Sequence, residues 1–204
     1  MTELSDLRRL FEREATNDRP ASDRPDVAII MGSDSDLEVM AGASEALEDL
    51  GFAELTDYDR PPEAEYTFES WVVSAHRTPE LMYVYAETAA DRGLDVIIAG
   101  AGGKSADLPN MTASIAYPIP VIGVPVQEKS VDSVLGMPTG APITAVDAGK
   151  SYNAGLSAAQ ILARSDPDLR GRLIEVQSDR ASGVATVSER LHRSGTKAFR
   201  EQRE

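Results

Sequence analysis

The sequence contains no cysteine and only two histidines, His76 and His192, in 204 residues. Without thiols there can be no disulfide, thiolate nucleophile or cysteine-ligated metal, which fits a reducing compartment. Two histidines so far apart also argue against a histidine-built metal centre. No apolar run approaches the length needed to span a bilayer, and the Arg-, Asp- and Glu-rich stretch 1–20 lacks the apolar core of a signal peptide. The expectation is a soluble cytoplasmic protein with no membrane partner. Neither a GxGxxG fingerprint nor a Walker lysine pattern occurs, so a dinucleotide or nucleoside triphosphate is not indicated and a monophosphate fits better. Basic residues are scarce in the body of the chain. Between positions 25 and 165 there are seven Lys and Arg against twenty-one Asp and Glu, a difference equal to the entire net charge of −14. Such a body repels a phosphate backbone, which excludes nucleic acid as a partner. A solvated acidic surface is the ordinary explanation.

What is present is an alternation of short apolar runs and helical patterns. Residues 27–31, 71–73, 96–99, 121–124 and 143–146 read as strands, mostly continuous apolar runs of the kind buried on both faces of a parallel sheet. Helical spacing follows through Leu37, Met40 and Leu47, through Leu81, Met82 and Tyr85 after Pro79, over 106–114, and over 153–163. The last of these is too apolar around its circumference to lie on a surface, and another subunit is one candidate cover. Residues 52–69, acidic and carrying Pro61-Pro62, read as a surface insertion. Leu4, Leu7, Leu10 and Phe11 trace an amphipathic N-terminal helix. Leu169 to Leu191 trace a weaker stripe interrupted at Gly183. The fold class is therefore α/β: a three-layer α/β/α sandwich with a central parallel sheet, flavodoxin-like, with N- and C-terminal helical extensions. The divisions are 1–24 for the N-terminal extension, 25–165 for the α/β domain and 166–204 for the C-terminal helical tail.

Ligands of open parallel sheets collect beyond the carboxyl ends of the strands. Three segments occupy such positions here, namely Gly32-Ser33-Asp34-Ser35-Asp36, Ser74-Ala75-His76-Arg77-Thr78-Pro79 and Gly100 to Asn110. Ser33 and Ser35, beside amides at a helix start, suit a phosphate. Asp36 suits either ribose hydroxyls or a plain helix cap. Of the two histidines, only His76 stands at a strand mouth, where an imidazole can move protons near neutral pH. Arg77 adds a fixed, forked cation. The glycines at 100, 102 and 103 would let a flat heterocycle approach the main chain.

The ordered set Met31 to Asp36, Ser74 to Pro79, Ile98 to Gly103 with Leu108-Pro109, Pro120 to Val126, Met137 to Gly140 and Asn153 to Leu156 resembles the class I N5-carboxyaminoimidazole ribonucleotide mutases of de novo purine synthesis. The resemblance covers about residues 26–165. It implies a cytoplasmic isomerase that moves a carboxylate from the exocyclic nitrogen to C4 of the imidazole, without metal or organic cofactor. It further implies His76 as general acid and base, with Ser33, Asp36, Ser74, Arg77, Gly102 and Gly103 binding the ribonucleotide. A homo-octamer with shared sites, and transient contact with the synthetase that makes the labile substrate, belong to the same expectation. The chain departs from the family pattern at Lys104-Ser105-Ala106-Asp107, where Asp107 stands in the place of a second histidine. Lys104 reads there as a compensating cation or a surface residue. Alternatives are a class II aminoimidazole ribonucleotide carboxylase using free carbon dioxide, and a non-enzymatic module that binds a nucleoside monophosphate.

Overall fold

The computed structural model describes residues 3–202. Six strands, β1 (Val27–Met31), β2 (Ala53–Glu54), β3 (Thr67–Val72), β4 (Val96–Ala101), β5 (Val121–Pro125) and β6 (Thr144–Ala145), form one sheet. Its order is β2-β3-β1-β4-β5-β6, and every pairing is parallel. The helices are α1 (Leu4–Thr16), α2 (Leu37–Glu48), α3 (Pro79–Glu87), α4 (Leu108–Ile115), α5 (Val131–Leu135), α6 (Ser151–Leu162) and α7 (Pro167–Glu201). Among the described residues no helix is long and apolar enough to cross a membrane.

Alternation along β1 divides the core in two. Ala28 and Ile30 face a layer that includes Phe11 of α1, Tyr85 of α3 and Ala113 of α4. Val27, Ile29 and Met31 face Met40 and Leu47 of α2, Ala158 of α6 and Leu169 of α7. Both faces of the strand are thus covered, which is why it reads as an unbroken apolar run. The N-terminal extension joins the core. Phe11 is fully buried, edge-on to Trp71 and Tyr85 at centroid distances of 5.0 and 4.9 Å.

Two expectations need correction. Residues 52–69 are not a surface insertion: they contain β2 and the start of β3, and Phe52 stacks on Tyr66 at 5.0 Å. Tyr58, Thr67, Phe68 and Glu69 are buried. The strand was masked because Glu69, a charge at the centre of β3, is satisfied by a residue remote in sequence, Arg92. The small-residue helix, α6, is buried as expected, and its cover includes α2 of the same chain. A Cβ on Gly155 would sit 2.6 Å from the Ala43 carbonyl oxygen, so the missing side chain lets α6 pack closely on α2. Finally, α7 runs through Gly183 without a break and departs from helical geometry at Gly195 instead, where φ is 74°.

At the opposite edge of the sheet from the loops discussed below, Asp26 links three strands. Its carboxylate accepts from the Thr67 N–H at 2.7 Å, and its carbonyl accepts from Asp95 N–H at 2.9 Å. Burial, with the Asp95 carboxylate adding to it, pushes its pKa up to about 6. The folded state therefore holds a proton that the unfolded chain releases near pH 4. This contribution is whole below pH 4 and is lost as pH rises through 6. Asp26→Asn, which keeps the acceptor oxygen, should raise stability at pH 7 by roughly 1–2 kcal/mol after allowance for solvent screening. Urea midpoints measured from pH 4 to 7 should show the wild type falling relative to the variant, and parallel curves would contradict the assignment.

Candidate functional site

From β1 the chain goes to the edge strand β2, returns inward to β3 beside β1, and then crosses to β4 on the other side of β1, so the sheet's switch point lies between the ends of β1 and β4. In such sheets this is where a crevice opens. Register fixes the level of the loops: Met31 pairs with Val72 on one side and with Gly100 on the other. The segments after β1, β3 and β4 consequently leave the sheet side by side. They enclose a cleft of about 360 Å³ lined by Ser33, Asp36, Ser74, His76, Arg77, Gly102 and Gly103, all seven residues singled out in the sequence.

After β1 the chain makes a tight turn over Asp34–Asp36 before α2. The Ser33 hydroxyl accepts from the Ser35 N–H at 3.3 Å and donates to Asp34 Oδ1 at 3.0 Å. Asp36 is the residue before α2, but its side chain makes no capping hydrogen bond. The cap explanation is thereby replaced by another. Asp36 is 7% exposed and its carboxylate lies against the glycine loop, where a Cβ on Gly102 would approach Oδ1 to 3.0 Å. Burial pushes this carboxyl up, while the Ser33 amide, the Arg77 guanidinium and the Gly102 amide oppose the shift.

The histidine loop is held by Ser74. Its hydroxyl accepts from the Arg77 N–H at 3.2 Å and from Arg77 Nε at 3.4 Å, while its own N–H donates to Thr78 Oγ1 at 2.9 Å. Pro79, at the first turn of α3, ends the loop. Arg77 Nη2 donates to the Gly32 carbonyl at 2.7 Å, which bridges the first two loops and stations a cation between them. His76 remains exposed on the cleft wall, with Nε2 3.0 Å from Asp107 Oδ2. Gly103 adopts φ 88°, a conformation that side-chain-bearing residues rarely take, and so turns the third loop across the floor.

Two lining residues escaped the sequence reading, Gln127 and Lys129, which follow β5. The available signal was the scarcity of cations: Lys129 is one of only seven between positions 25 and 165, and it follows a strand at the same edge. Lys104 is exposed and does not line the cleft, in keeping with a surface residue. Among the described residues no group of three or more His, Cys, Asp or Glu side chains is placed to hold a metal ion.

The chemistry such a cleft can perform is anion binding beside a mobile proton. Arg77, the Ser33 hydroxyl and amides at the start of a 12-residue helix favour a phosphate. An exposed imidazole stands within the same cavity.

Known proteins are similar to this chain over nearly their whole length. The chain is 46% identical over 188 residues to the N5-carboxyaminoimidazole ribonucleotide mutase of Mycobacterium tuberculosis, covering 89% of this chain and 99% of the relative. It is 42% identical over 186 residues to the enzyme of the same name from Thermotoga maritima, covering 88% and 99%. Among solved structures, Treponema denticola PurE superposes with a TM-score of 0.64 over 82% of this chain and 99% of the other at 24% identity, a likeness of fold. The family model described as AIR carboxylase matches residues 26–182, a span that takes in every loop of the cleft, and the chain belongs to that family.

Proposed function

We propose that this protein is an isomerase of purine biosynthesis, a 5-(carboxyamino)imidazole ribonucleotide mutase. It would convert N5-carboxyaminoimidazole ribonucleotide to 4-carboxy-5-aminoimidazole ribonucleotide. The observation that carries this reading is the meeting of His76, Arg77, Ser33 and Asp36 in one cleft of a chain whose full-length relatives bear that name.

Arg77, Ser33 and the amides at the start of α2 hold the phosphate, and Asp36 accepts from ribose hydroxyls. Ser74 keeps Arg77 in place. Gly102 and Gly103, with no side chains, leave room for the imidazole ring to lie on the main chain. His76 then carries one proton around a closed cycle. The N–CO₂ bond of the carbamate breaks, and the nitrogen takes a proton from the imidazolium as carbon dioxide leaves. C4 captures that carbon dioxide, a C–C bond forms, and the C4 proton returns to the imidazole. Atoms and charge balance without a further reactant, so no metal or organic cofactor is required. Holding the released gas beside its acceptor supplies much of the rate advantage.

In this reading residues 25–165 form the catalytic body, while 1–24 and 166–204 are extensions. The exposed Val184, Val187 and Leu191 of α7 favour contact with other copies, in keeping with a homo-octamer. A cytoplasmic location, and transient contact with the synthetase that supplies the substrate, belong to the same reading. The test is to supply purified protein with N5-carboxyaminoimidazole ribonucleotide in one arm and aminoimidazole ribonucleotide plus carbon dioxide in the other. Formation of the C4 acid faster in the first arm is expected, and formation only in the second would overturn the reading in favour of a carboxylase.

A further inference from the structure

The partner of His76 is a carboxylate that does not cap its own helix. Asp107 is the residue before α4, with φ −83° and ψ −13°, yet its side chain makes no capping hydrogen bond to that helix. A capping aspartate has an extended backbone, whereas these dihedrals are helical, so the carboxylate is free to bond elsewhere. Here Oδ2 instead meets His76 Nε2 at 3.0 Å, across 31 residues of chain. The other oxygen, Oδ1, accepts from the Ser133 hydroxyl at 3.1 Å. Ser133 is itself tied to the first turn of α4, because Asn110 Nδ2 donates to its carbonyl at 2.6 Å. Ser133, Asp107 and His76 therefore form a chain from α5 through α4 to the loop after β3.

An ionised carboxylate accepts hydrogen bonds and donates none. In this pair the ring must be the donor, so Nε2 carries the hydrogen and Nδ1 is the nitrogen with a free lone pair. We infer that Asp107, backed by Ser133, is a positioning residue that selects the Nε2–H tautomer of His76 and fixes the ring plane. Nδ1 is then the atom that takes and returns the proton. The inference rests on the proposed mutase chemistry, and one of its two readouts does not.

The scarcity of histidine makes the experiment simple. Protein labelled with ¹⁵N-histidine gives signals from two rings only, and His76→Asn identifies them. In the wild type, at a pH where the ring is neutral, His76 should show a protonated Nε2 and an unprotonated Nδ1, while His192, on α7, supplies the reference mixture of tautomers. Asp107→Ala should return His76 to that mixture. The same variant should lose kcat by about 10–100-fold, the range found when the hydrogen-bond partner of a metal-bound histidine is removed, with KM within about threefold. Ser133→Ala, which leaves the carboxylate in place, should lose less. A wild-type His76 protonated at Nδ1, or indistinguishable from His192, overturns the inference, as does an Asp107→Ala enzyme with unchanged kcat. A wild type inert toward both ribonucleotides would instead overturn the functional reading, and the tautomer in the same sample would still decide whether Asp107 sets the ring.

Discussion

His76→Asn should lower kcat by about 10²–10⁴-fold, the usual contribution of a positioned acid and base, while ribonucleotide affinity changes only a few-fold. The two quantities separate because different residues supply them. Arg77, Ser33 and Asp36 hold the sugar and phosphate in this account, and none of them depends on the imidazole for its position. Arg77 is fixed by Ser74 and by the Gly32 carbonyl. The side chain of His76 is 60% exposed, with Asp107 as its hydrogen-bond partner. The substitution should therefore leave stability within about 0.5 kcal/mol of wild type. A 10³-fold loss corresponds to about 4 kcal/mol of transition-state stabilisation. Steady-state kinetics with calorimetric binding of the ribonucleotide checks both halves. Full activity in the variant would remove the imidazole from the reaction, and equal losses in affinity and rate would make it a binding group.

Glu69→Ala should have the largest effect on stability, a cost of about 3–5 kcal/mol against a total near 5–15 kcal/mol for a typical domain. Glu69 and Arg92 are 1% and 0% exposed and pair at 2.5 Å. Tyr85 donates its hydroxyl to Glu69 Oε1 at 2.6 Å, and Tyr58 donates to Oε2. Burial, followed by the charge of Glu69, pushes both phenols above the ordinary tyrosine value, so both remain donors. The Arg92 guanidinium lies 5.0 Å from the Phe11 ring and 4.4 Å from the Tyr85 ring. Removing Glu69 leaves a buried guanidinium without its counter-charge, held only by Tyr58, Thr88 and the Tyr85 carbonyl, and leaves two hydroxyls without their acceptor. Replacing both charges, Glu69→Leu with Arg92→Met, should recover much of the loss, since the desolvation of both ions disappears together. Urea denaturation of the two variants distinguishes a costly orphan from a valuable pair. A single-variant loss under 1 kcal/mol would contradict this.

The same buried pair explains where the sequence was hard to read. Strands β1, β4 and β5 are covered on both faces, so each shows as an unbroken apolar run, and each was legible. In β3 the residues Glu69 and Ser70 break that pattern, and nothing local reveals that Arg92 will neutralise the first of them. Strands β2 and β6, at two residues each, carry too little pattern to bound. The apolar circumference of α6 disclosed burial without disclosing its cover, because a close approach to α2 is a property of Gly155 and Ala43 together. At the site, the loops after β1, β3 and β4 could be placed in advance, since parallel strands of similar length end at one edge. Gln127 and the bond between His76 and Asp107 could not, because they depend on how the third and fourth loops fold back over the cleft, and Lys129 offered only its scarcity as a signal. Asp107 stands out in the sequence as an anomaly of the glycine loop, and only the folded geometry gives it a partner.

The central claim is that one cleft, built on the switch point of the sheet, breaks a carbamate and captures the released carbon within a single bound complex. N5-Carboxyaminoimidazole ribonucleotide labelled with ¹³C in its carboxylate, supplied with an excess of unlabelled bicarbonate, tests this directly. The account predicts that the label arrives in the C4 carboxylate of the product. Product formed with unlabelled carbon, drawn from the bicarbonate, would contradict it.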